Sequence, residues 1–296
     1  MMRGGPPMQG SMTALVTPFR DGRVDEACLA RLVERQIEGG TDWLVPCGTT
    51  GESPTLSEEE HDRVIDVVIG ASRGRRPVLA GAGSNCTEKA VKLSKKAAAA
   101  GASGILSVVP YYNRPTQEGL YRHFAAVAEA VELPIVLYNV PLRTGQSLAN
   151  ETVVRLRNRY SNVVALKHAT GSVGGVDDLQ AQCDIIVLSG DDSITWPLMA
   201  LGARGVISVI SNLVPAWMKE LVDAALRGEG GRALACHRKL ADLADGIGRF
   251  GPNPQPIKTA MALCGLLSDE FRLPLCSLDA KAKGEIAALL KKHEIG

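Results

Sequence analysis

Short apolar segments alternate with longer amphipathic segments along most of the chain. The apolar segments are rich in Val, Ile and Leu and show no clean alternation with polar residues. This pattern is typical of parallel strands that are buried on both faces. Eight segments have it, at residues 11–16, 42–46, 77–80, 104–109, 134–138, 163–167, 185–189 and 205–209.

The amphipathic segments begin and end with helix signals. Ser57, followed three residues later by Glu60, forms a capping box, and Thr87 and Thr116 open two further helices. Glycines at 39–40, 101 and 202 mark helix ends. Eight strand–helix repeats predict an α/β fold, a (β/α)8 barrel. A doubly wound sheet is the competing fold, but its glycine-rich nucleotide turn has no good match in this sequence.

The strand pattern stops at the glycines of segment 228–231. Three helical segments follow, at residues 232–246, 256–267 and 278–292. We therefore predict a loose tail over residues 1–10, a catalytic barrel over residues 11–229 and a C-terminal helical appendage over residues 230–296.

Composition narrows the class of protein. The 33 Lys and Arg nearly balance the 32 Asp and Glu, which argues against nucleic acid or an anionic membrane as a partner. The sequence shows neither a signal-peptide pattern nor an apolar run that could span a membrane. Seven scattered cysteines without a Cys-x-x-Cys pair, and dispersed histidines, favour a reduced cytoplasmic protein without a metal site.

Lys167 is the main candidate for chemistry, because it closes a buried strand. Catalytic groups of such barrels lie at the carboxyl ends of strands. A charged amine there is costly unless it is paired or deprotonated. Lys167 therefore either reaches solvent or a carboxylate, or is a nucleophile toward a ketone. Tyr138 ends the preceding strand, so its phenol should lie beside this amine and could move protons.

Other polar residues follow the remaining strand ends, at 48–53, 110–115, 139–145 and 189–192. Each has an ordinary explanation: turn formation and capping for 48–51, packing for the tyrosines at 111–112, and solvation for Arg143. For the aspartates at 191–192 we prefer a structural role as caps. Their common location at one end of one barrel nevertheless favours a shared site.

These segments resemble the dihydrodipicolinate synthase/N-acetylneuraminate lyase family. The likeness runs from residues 13–19 to residues 252–258 and is most specific at 48–53, 110–115 and 138–145. It implies a cytoplasmic homotetramer, a dimer of dimers, that uses neither metal nor cofactor. It also implies that pyruvate condenses with L-aspartate 4-semialdehyde to give 4-hydroxy-tetrahydrodipicolinate, in lysine and diaminopimelate biosynthesis.

The resemblance implies roles for the catalytic residues. Lys167 matches the lysine that forms a covalent imine with pyruvate, and Tyr138 matches the tyrosine that moves protons. Thr50 and Tyr112 match its relay partners, with Tyr112 or its neighbour reaching across a subunit contact.

The resemblance also implies substrate contacts. Thr49 matches a residue that holds the pyruvate carboxylate, and Gly190 and Ile207 match backbone positions near pyruvate. Arg143 matches the arginine that binds the carboxylate of the semialdehyde, and its guanidinium fork suits that two-point contact.

The chain departs from the family pattern at two places. His168 stands where an acidic residue is usual, but strand alternation points it away from Lys167, so we predict packing or hydrogen bonding. A possible effector site for lysine is matched at Ser53, His61, Asn85 and Tyr111. Glu58 and Lys89 depart there, and Lys89 would repel the effector's ammonium group, so we expect weak or no inhibition by lysine.

Three other functions remain open. The first is a pyruvate-dependent aldolase or lyase, similar to N-acetylneuraminate lyase, that acts on a sugar acid; such lyases lack a counterpart of Arg143. The second is a barrel glycosidase using Glu52 with Asp191 or Asp192, which would need two carboxyl groups flanking the bond and aromatic platforms. The third is a binding protein on a retained barrel, which the intact set of site residues disfavours.

Overall fold

The computed structural model describes residues 6–296. Its eight parallel strands are β1 Gly10–Ala14, β2 Trp43–Val45, β3 Leu79–Gly81, β4 Gly104–Val108, β5 Ile135–Asn139, β6 Val163–His168, β7 Ile186–Ser189 and β8 Gly205–Ser208. They are hydrogen-bonded in the order β2-β1-β8-β7-β6-β5-β4-β3. A parallel bridge between Leu44 and Val78 joins the two ends. The predicted barrel is confirmed, and each predicted strand is found within about two residues of its expected bounds.

One helix follows each strand, and three more form the appendage. They are α1 Glu26–Glu38, α2 Glu58–Ser72, α3 Thr87–Ala99, α4 Gln117–Ala130, α5 Asn150–Arg159, α6 Val176–Gln182, α7 Thr195–Ala200, α8 Pro215–Leu226, α9 Gly230–Gly248, α10 Gln255–Leu263 and α11 Ala280–Lys292. Across residues 6–296, no helix combines the length and the apolar character needed to cross a membrane.

The predicted helix starts are found, with one difference in mechanism. Ser57 and Glu60 form the expected capping box at α2, and the Thr116 side chain accepts a hydrogen bond from the Gly119 amide at α4. Thr87 is the first residue of α3 rather than its cap. Its hydroxyl lies 2.9 Å from Nδ1 of His123 and thereby joins α3 to α4.

Two apolar layers explain why the strands do not alternate with polar residues. The inner layer fills the barrel with side chains that include Met12, Trp43, Leu79, Val136, Tyr138, Ala165, Leu188 and Ile207. The outer layer packs the other strand faces against the helices. Because both faces of each strand are covered, apolar residues are favoured at nearly every strand position.

The N-terminal boundary differs from the predicted tail of residues 1–10. Residues 1–5 lie outside the described part of the chain. Met8 is buried in the inner layer, and the indole of Trp43 donates a hydrogen bond to the Pro7 carbonyl at 3.1 Å. Gly10 already belongs to β1. The barrel therefore includes residues that apolar patterning assigns to the tail, since the pattern weakens among the glycines and prolines before residue 11.

The burial of His123 predicts that the stability of the protein depends on pH. Its side chain is buried in α4, and burial lowers its pKa from 6.5 to about 4. Between these pH values the unfolded chain binds a proton that the folded protein does not, so stability falls as the pH decreases through this range. We expect protonation linked to His123 to lower the free energy of unfolding by about 2 kcal/mol when the pH falls from 7 to 5.

Urea unfolding of the wild type and of His123→Gln at several pH values checks this expectation. Glutamine keeps a polar group for the Thr87 hydroxyl but does not titrate. The variant should lose less stability on acidification than the wild type. If the wild type and the variant lose the same unfolding free energy on acidification, His123 is not the group responsible.

Candidate active site

Lys167 and Tyr138 are neighbours inside the carboxyl end of the barrel. The residues pair in register between β6 and β5. Lys167 is 5% exposed and Tyr138 is 6% exposed. The Nζ atom of Lys167 lies 4.1 Å from the centre of the Tyr138 ring. This strand register and this distance agree with the prediction from the sequence that the amine and the phenol lie side by side.

Gly190 leaves room for the Lys167 side chain. It follows β7, and a Cβ atom at this position would lie 3.0 Å from Cε of Lys167 and 2.5 Å from Cβ of Ala169. Any larger residue would push into the lysine or its loop. Ile207 is fully buried in the inner layer on β8. Gly190 therefore borders the Lys167 side chain, and Ile207 lies in the same inner layer as Tyr138.

A cavity of about 350 Å³ opens beside Tyr138. It collects six of the residues predicted for the site or for an effector, namely Thr49, Ser53, His61, Tyr111, Tyr138 and Arg143. Loops after β2, β3, β4 and β5 form its wall together. This size is within the usual range for small-molecule sites.

The two threonines after β2 have different surroundings. Thr49 lines the cavity that contains Tyr138. Thr50 is buried, and its hydroxyl oxygen accepts a hydrogen bond from Nδ2 of Asn253 at 2.8 Å. Asn253 comes from the segment between α9 and α10, so the appendage contributes directly to this end of the barrel.

Arg143 is placed by a short helical turn, Pro141–Thr144, that the sequence pattern does not predict. The turn begins with a proline, which suits the first helical position, and closes at Gly145 with a positive φ of 70°. The Arg143 side chain is exposed at the cavity and donates from Nη2 to the Asn253 carbonyl at 2.9 Å. Its remaining donors are available to an anionic ligand.

Tyr112 and Asn85 are not brought to this cavity within one chain. Tyr112 is 90% exposed and has a φ of 72°, which is unusual for an aromatic residue. The Asn85 carbonyl accepts a hydrogen bond from the Asn113 side chain in the neighbouring loop. The other three effector candidates, Ser53, His61 and Tyr111, do line the cavity.

His61 is buried in the wall of the cavity. Its Nε2 lies 2.8 Å from the Gly81 carbonyl, which can only accept, so Nε2 carries the proton. Burial lowers the pKa of His61, which favours the neutral ring. Lys89 also lines the cavity, and Glu58 on the same wall is paired with Lys92 at 2.6 Å.

Glu52 cannot act as a glycosidase carboxylate. It is fully buried, and its Oε1 lies 2.6 Å from Nζ of Lys258 in α10. The other oxygen, Oε2, accepts a hydrogen bond from the Arg272 amide at 3.2 Å. A carboxylate held by two partners and closed off from solvent is a structural ion pair.

The remaining polar residues near Lys167 are held by local backbone contacts. The Asp192 carboxylate accepts hydrogen bonds from the amides of Val209 and Ile210, so it caps the turn after β8. Asp191 accepts from the Gly171 amide. The Nε2 atom of His168 lies 2.9 Å from the Ser172 carbonyl. Neither aspartate caps the helix that follows it, which is the role the sequence suggested, and both carboxylates instead bind backbone amides of neighbouring loops. The contact of His168 agrees with the hydrogen bonding expected for it.

Sequence reasoning missed the contribution of Asn253. The segment 252–258 carries part of the family resemblance, but the pattern of prolines gave no indication of which side chain would reach the barrel. Asn253 is more than 200 residues from Thr50 in the sequence. Only the packing of the appendage against the barrel mouth brings these residues together.

Comparison with known proteins adds an independent result. Residues 7–293 match the Dihydrodipicolinate synthetase family. A protein of Geotalea daltonii named 4-hydroxy-tetrahydrodipicolinate synthase is 51% identical over 289 residues, covering 97% of this chain and 99% of that protein. One of Pelobacter propionicus with the same name is 50% identical over 287 residues, covering 96% and 98%.

Solved structures of dihydrodipicolinate synthases also superpose closely on this chain. Dihydrodipicolinate synthase from Aquifex aeolicus superposes with a TM-score of 0.95 at 44% identity, covering 97% of this chain and 99% of that one. The chloride-inhibited dihydrodipicolinate synthase from Acinetobacter baumannii, solved in complex with pyruvate, also gives a TM-score of 0.95, at 45% identity and with coverage of 98% and 100%.

Proposed function

The chain belongs to the dihydrodipicolinate synthetase family, and from this premise we propose that Lys167 forms a covalent imine with pyruvate during catalysis. The protein is a carbon–carbon-bond-forming lyase with the activity of a 4-hydroxy-tetrahydrodipicolinate synthase, in lysine and diaminopimelate biosynthesis. Its substrates are pyruvate and L-aspartate 4-semialdehyde, and we place the reaction in the cytoplasm. The observation that carries the imine proposal is the buried Lys167 amine, 4.1 Å from the Tyr138 ring.

The imine makes the pyruvate methyl group reactive. The Lys167 amine adds to the ketone carbon, and loss of water gives an iminium that draws electrons from the methyl group. Loss of a methyl proton yields an enamine, whose carbon attacks the aldehyde carbon of the second substrate. The amine of that substrate then adds to the imine carbon and expels Lys167, which closes the ring and restores the enzyme.

Proton transfer in these steps needs a group beside the amine. Tyr138 is that group in our proposal, and Thr50 and Tyr112 continue the relay. Thr49 holds the pyruvate carboxylate, with the backbone at Gly190 and Ile207 forming the rest of the pyruvate site. Thr49 lines the same cavity as Tyr138, whereas Thr50 does not. The alternative is therefore that Thr49 belongs to the proton relay and Thr50 holds the pyruvate carboxylate. Substituting each threonine with valine tests this alternative.

Tyr112 completes the relay only if a second copy of the chain is present. Its 90% exposure and positive φ leave an aromatic side chain held out from the surface in a costly conformation. Leu142 in the neighbouring loop is 89% exposed. Exposed apolar groups that form a contiguous patch mark contact surfaces. We therefore propose that two barrels meet at this end, within a homotetramer built as a dimer of dimers.

Trapping of the imine tests the proposal. The protein is incubated with pyruvate and reduced with borohydride, and peptide mass spectrometry locates the added mass. We expect a pyruvate-sized adduct on Lys167. No adduct, or an adduct on another lysine, would overturn the proposed chemistry.

Arg143 should determine the use of the second substrate. Arg143→Ala removes a guanidinium that can form two charge-assisted hydrogen bonds with the semialdehyde carboxylate. We expect kcat/KM for the semialdehyde to fall roughly a hundredfold, while pyruvate trapping on Lys167 changes little. Arg114→Ala, in the adjacent exposed loop, is the matched control. Equal losses for both substrates would contradict the assignment and reopen the sugar-acid lyase alternative.

Free lysine should inhibit the enzyme weakly or not at all. Lys89 lines the cavity that holds the predicted effector residues, and its charge would repel an ammonium group there. Activity measured against increasing lysine should not reach half-inhibition below a millimolar concentration. Lys89→Glu reverses this charge and should increase sensitivity by on the order of tenfold. Sub-millimolar inhibition of the unmodified enzyme would contradict the expectation.

A further inference from the structure

Asn253 connects the appendage to two separate loops of the barrel mouth. Its Nδ2 donates to the Thr50 hydroxyl at 2.8 Å, and its carbonyl accepts from Nη2 of Arg143 at 2.9 Å. Thr50 follows β2 and Arg143 follows β5, so these loops come from strands that are not neighbours. One residue of the appendage therefore contacts both a candidate relay residue and the candidate carboxylate-binding residue.

The hydrogen bond from Asn253 fixes the direction of the Thr50 hydroxyl. A hydroxyl carries one proton to donate and accepts through its oxygen. Because the Asn253 amide donates to that oxygen, the hydroxyl proton is left for another acceptor. Thr50 is only 3% exposed, so solvent competes little for this proton.

The orientation of the Asn253 amide follows from its other atom. Oδ1 is buried and has no hydrogen-bond partner within residues 6–296. The reverse orientation would let Oδ1 accept from Thr50 but would bury an amide nitrogen with two unsatisfied N–H groups. The observed orientation pairs one of the two N–H groups, whereas the reverse orientation would pair neither.

We propose that Asn253 is a positioning residue that makes Thr50 a proton donor toward the substrate or relay at the barrel mouth. This inference rests on the proposed function of the site. In this proposal Asn253 acts through its hydrogen bond to Thr50. Its contact with Arg143 uses the backbone carbonyl, so a change of the Asn253 side chain leaves that contact available.

Two substitutions at Asn253 separate positioning from a purely structural role. Asn253→Ala removes the donor and lets the Thr50 hydroxyl rotate, and we expect kcat/KM for pyruvate to fall about tenfold. Asn253→Asp has the same shape but can only accept from Thr50, which reverses the bond and adds a negative charge. We expect this variant to be at least a further tenfold less active.

The order of these activities is the informative result. A structural role would favour aspartate, which matches asparagine in shape, over alanine. If Asn253→Asp is more active than Asn253→Ala, the proposal is overturned. Thermal unfolding of each variant is measured alongside, and Asn253→Ser replaces any variant that does not fold.

A double-mutant cycle with Thr50→Val tests whether Asn253 acts through Thr50. We expect Asn253→Ala to reduce kcat/KM by less than about twofold when Thr50→Val is already present. If the losses in kcat/KM of the two single variants instead multiply in the double variant, the proposal is overturned. Gln255→Ala is the matched control, because the Gln255 side chain donates to the Cys276 carbonyl within the appendage, and its activity should remain that of the wild type.

The trapping experiment separates this inference from the proposed function. If wild-type Lys167 forms the pyruvate adduct but the cycle shows multiplying losses, only the role of Asn253 is wrong. If Lys167 forms no adduct, the proposed function itself fails.

Discussion

Replacing Lys167 with alanine is expected to reduce kcat for the condensation roughly a thousandfold, which corresponds to about 4 kcal/mol of transition-state stabilisation. Without the imine, the pyruvate methyl group keeps the low acidity of an ordinary ketone, and the enamine cannot form. Steady-state kinetics with pyruvate and L-aspartate 4-semialdehyde measure the loss. Borohydride reduction of the variant should leave no pyruvate on the protein.

Lys167→Arg is the matched control for charge. Arginine keeps a cation beside the Tyr138 ring but does not form an imine with pyruvate. We expect it to be about as inactive as the alanine variant. If the arginine variant retains most of the activity, Lys167 contributes only its charge and the covalent mechanism is wrong.

Breaking the ion pair between Glu52 and Lys258 should have the largest effect on stability. Both side chains are fully buried, and Nζ of Lys258 lies 2.6 Å from the carboxylate. Glu52→Gln leaves a buried ammonium without its counter-charge, and we expect the free energy of unfolding to fall by about 3–5 kcal/mol. Burial lowers the pKa of Lys258 from its usual 10.5 and Glu52 opposes this, so the variant should lose stability as the pH falls below 10.5 and the amine becomes charged. Chemical denaturation at alkaline and at neutral pH measures both effects.

A second pair of variants controls for the loss of a carboxylate. The exposed pair of Glu26 and Arg63 has the same 2.6 Å separation, and Glu26→Gln should cost less than about 1 kcal/mol. The double variant Glu52→Gln/Lys258→Met removes both buried charges and should recover much of the stability lost by Glu52→Gln alone. Equal small costs for both single variants would mean that burial adds nothing to the pair.

Much of the fold could be predicted from the chain because its signals are local. Eight buried strands, helix caps at Ser57 and Thr116, and terminating glycines each involve only a few adjacent residues. The helical turn at Pro141–Thr144 was missed because four residues are too few for a periodic pattern. The role of Thr87 was also misjudged, because its hydroxyl contacts His123 in the next helix rather than capping its own.

Predictions for the site depended on strand ends, which share one face of the barrel. That rule placed Lys167, Tyr138 and Gly190 together, since all three lie at or just after the ends of adjacent strands. It could not anticipate that Glu52, in the same group of loops, would be neutralised by Lys258, 206 residues away. Nor could it find Asn253, whose position depends on how the appendage packs.

The distance in sequence between Glu52 and Lys258 has a consequence for the order of biosynthesis. The ribosome makes the loop after β2 early, and Lys258, the counter-charge of Glu52, lies 206 positions further along the chain. Arg272, whose amide completes the contacts of the Glu52 carboxylate, is made later still. A nascent chain that has released the whole barrel therefore still carries an unmatched acid at its mouth. A segment made after the whole barrel is therefore the one that completes this end of the protein.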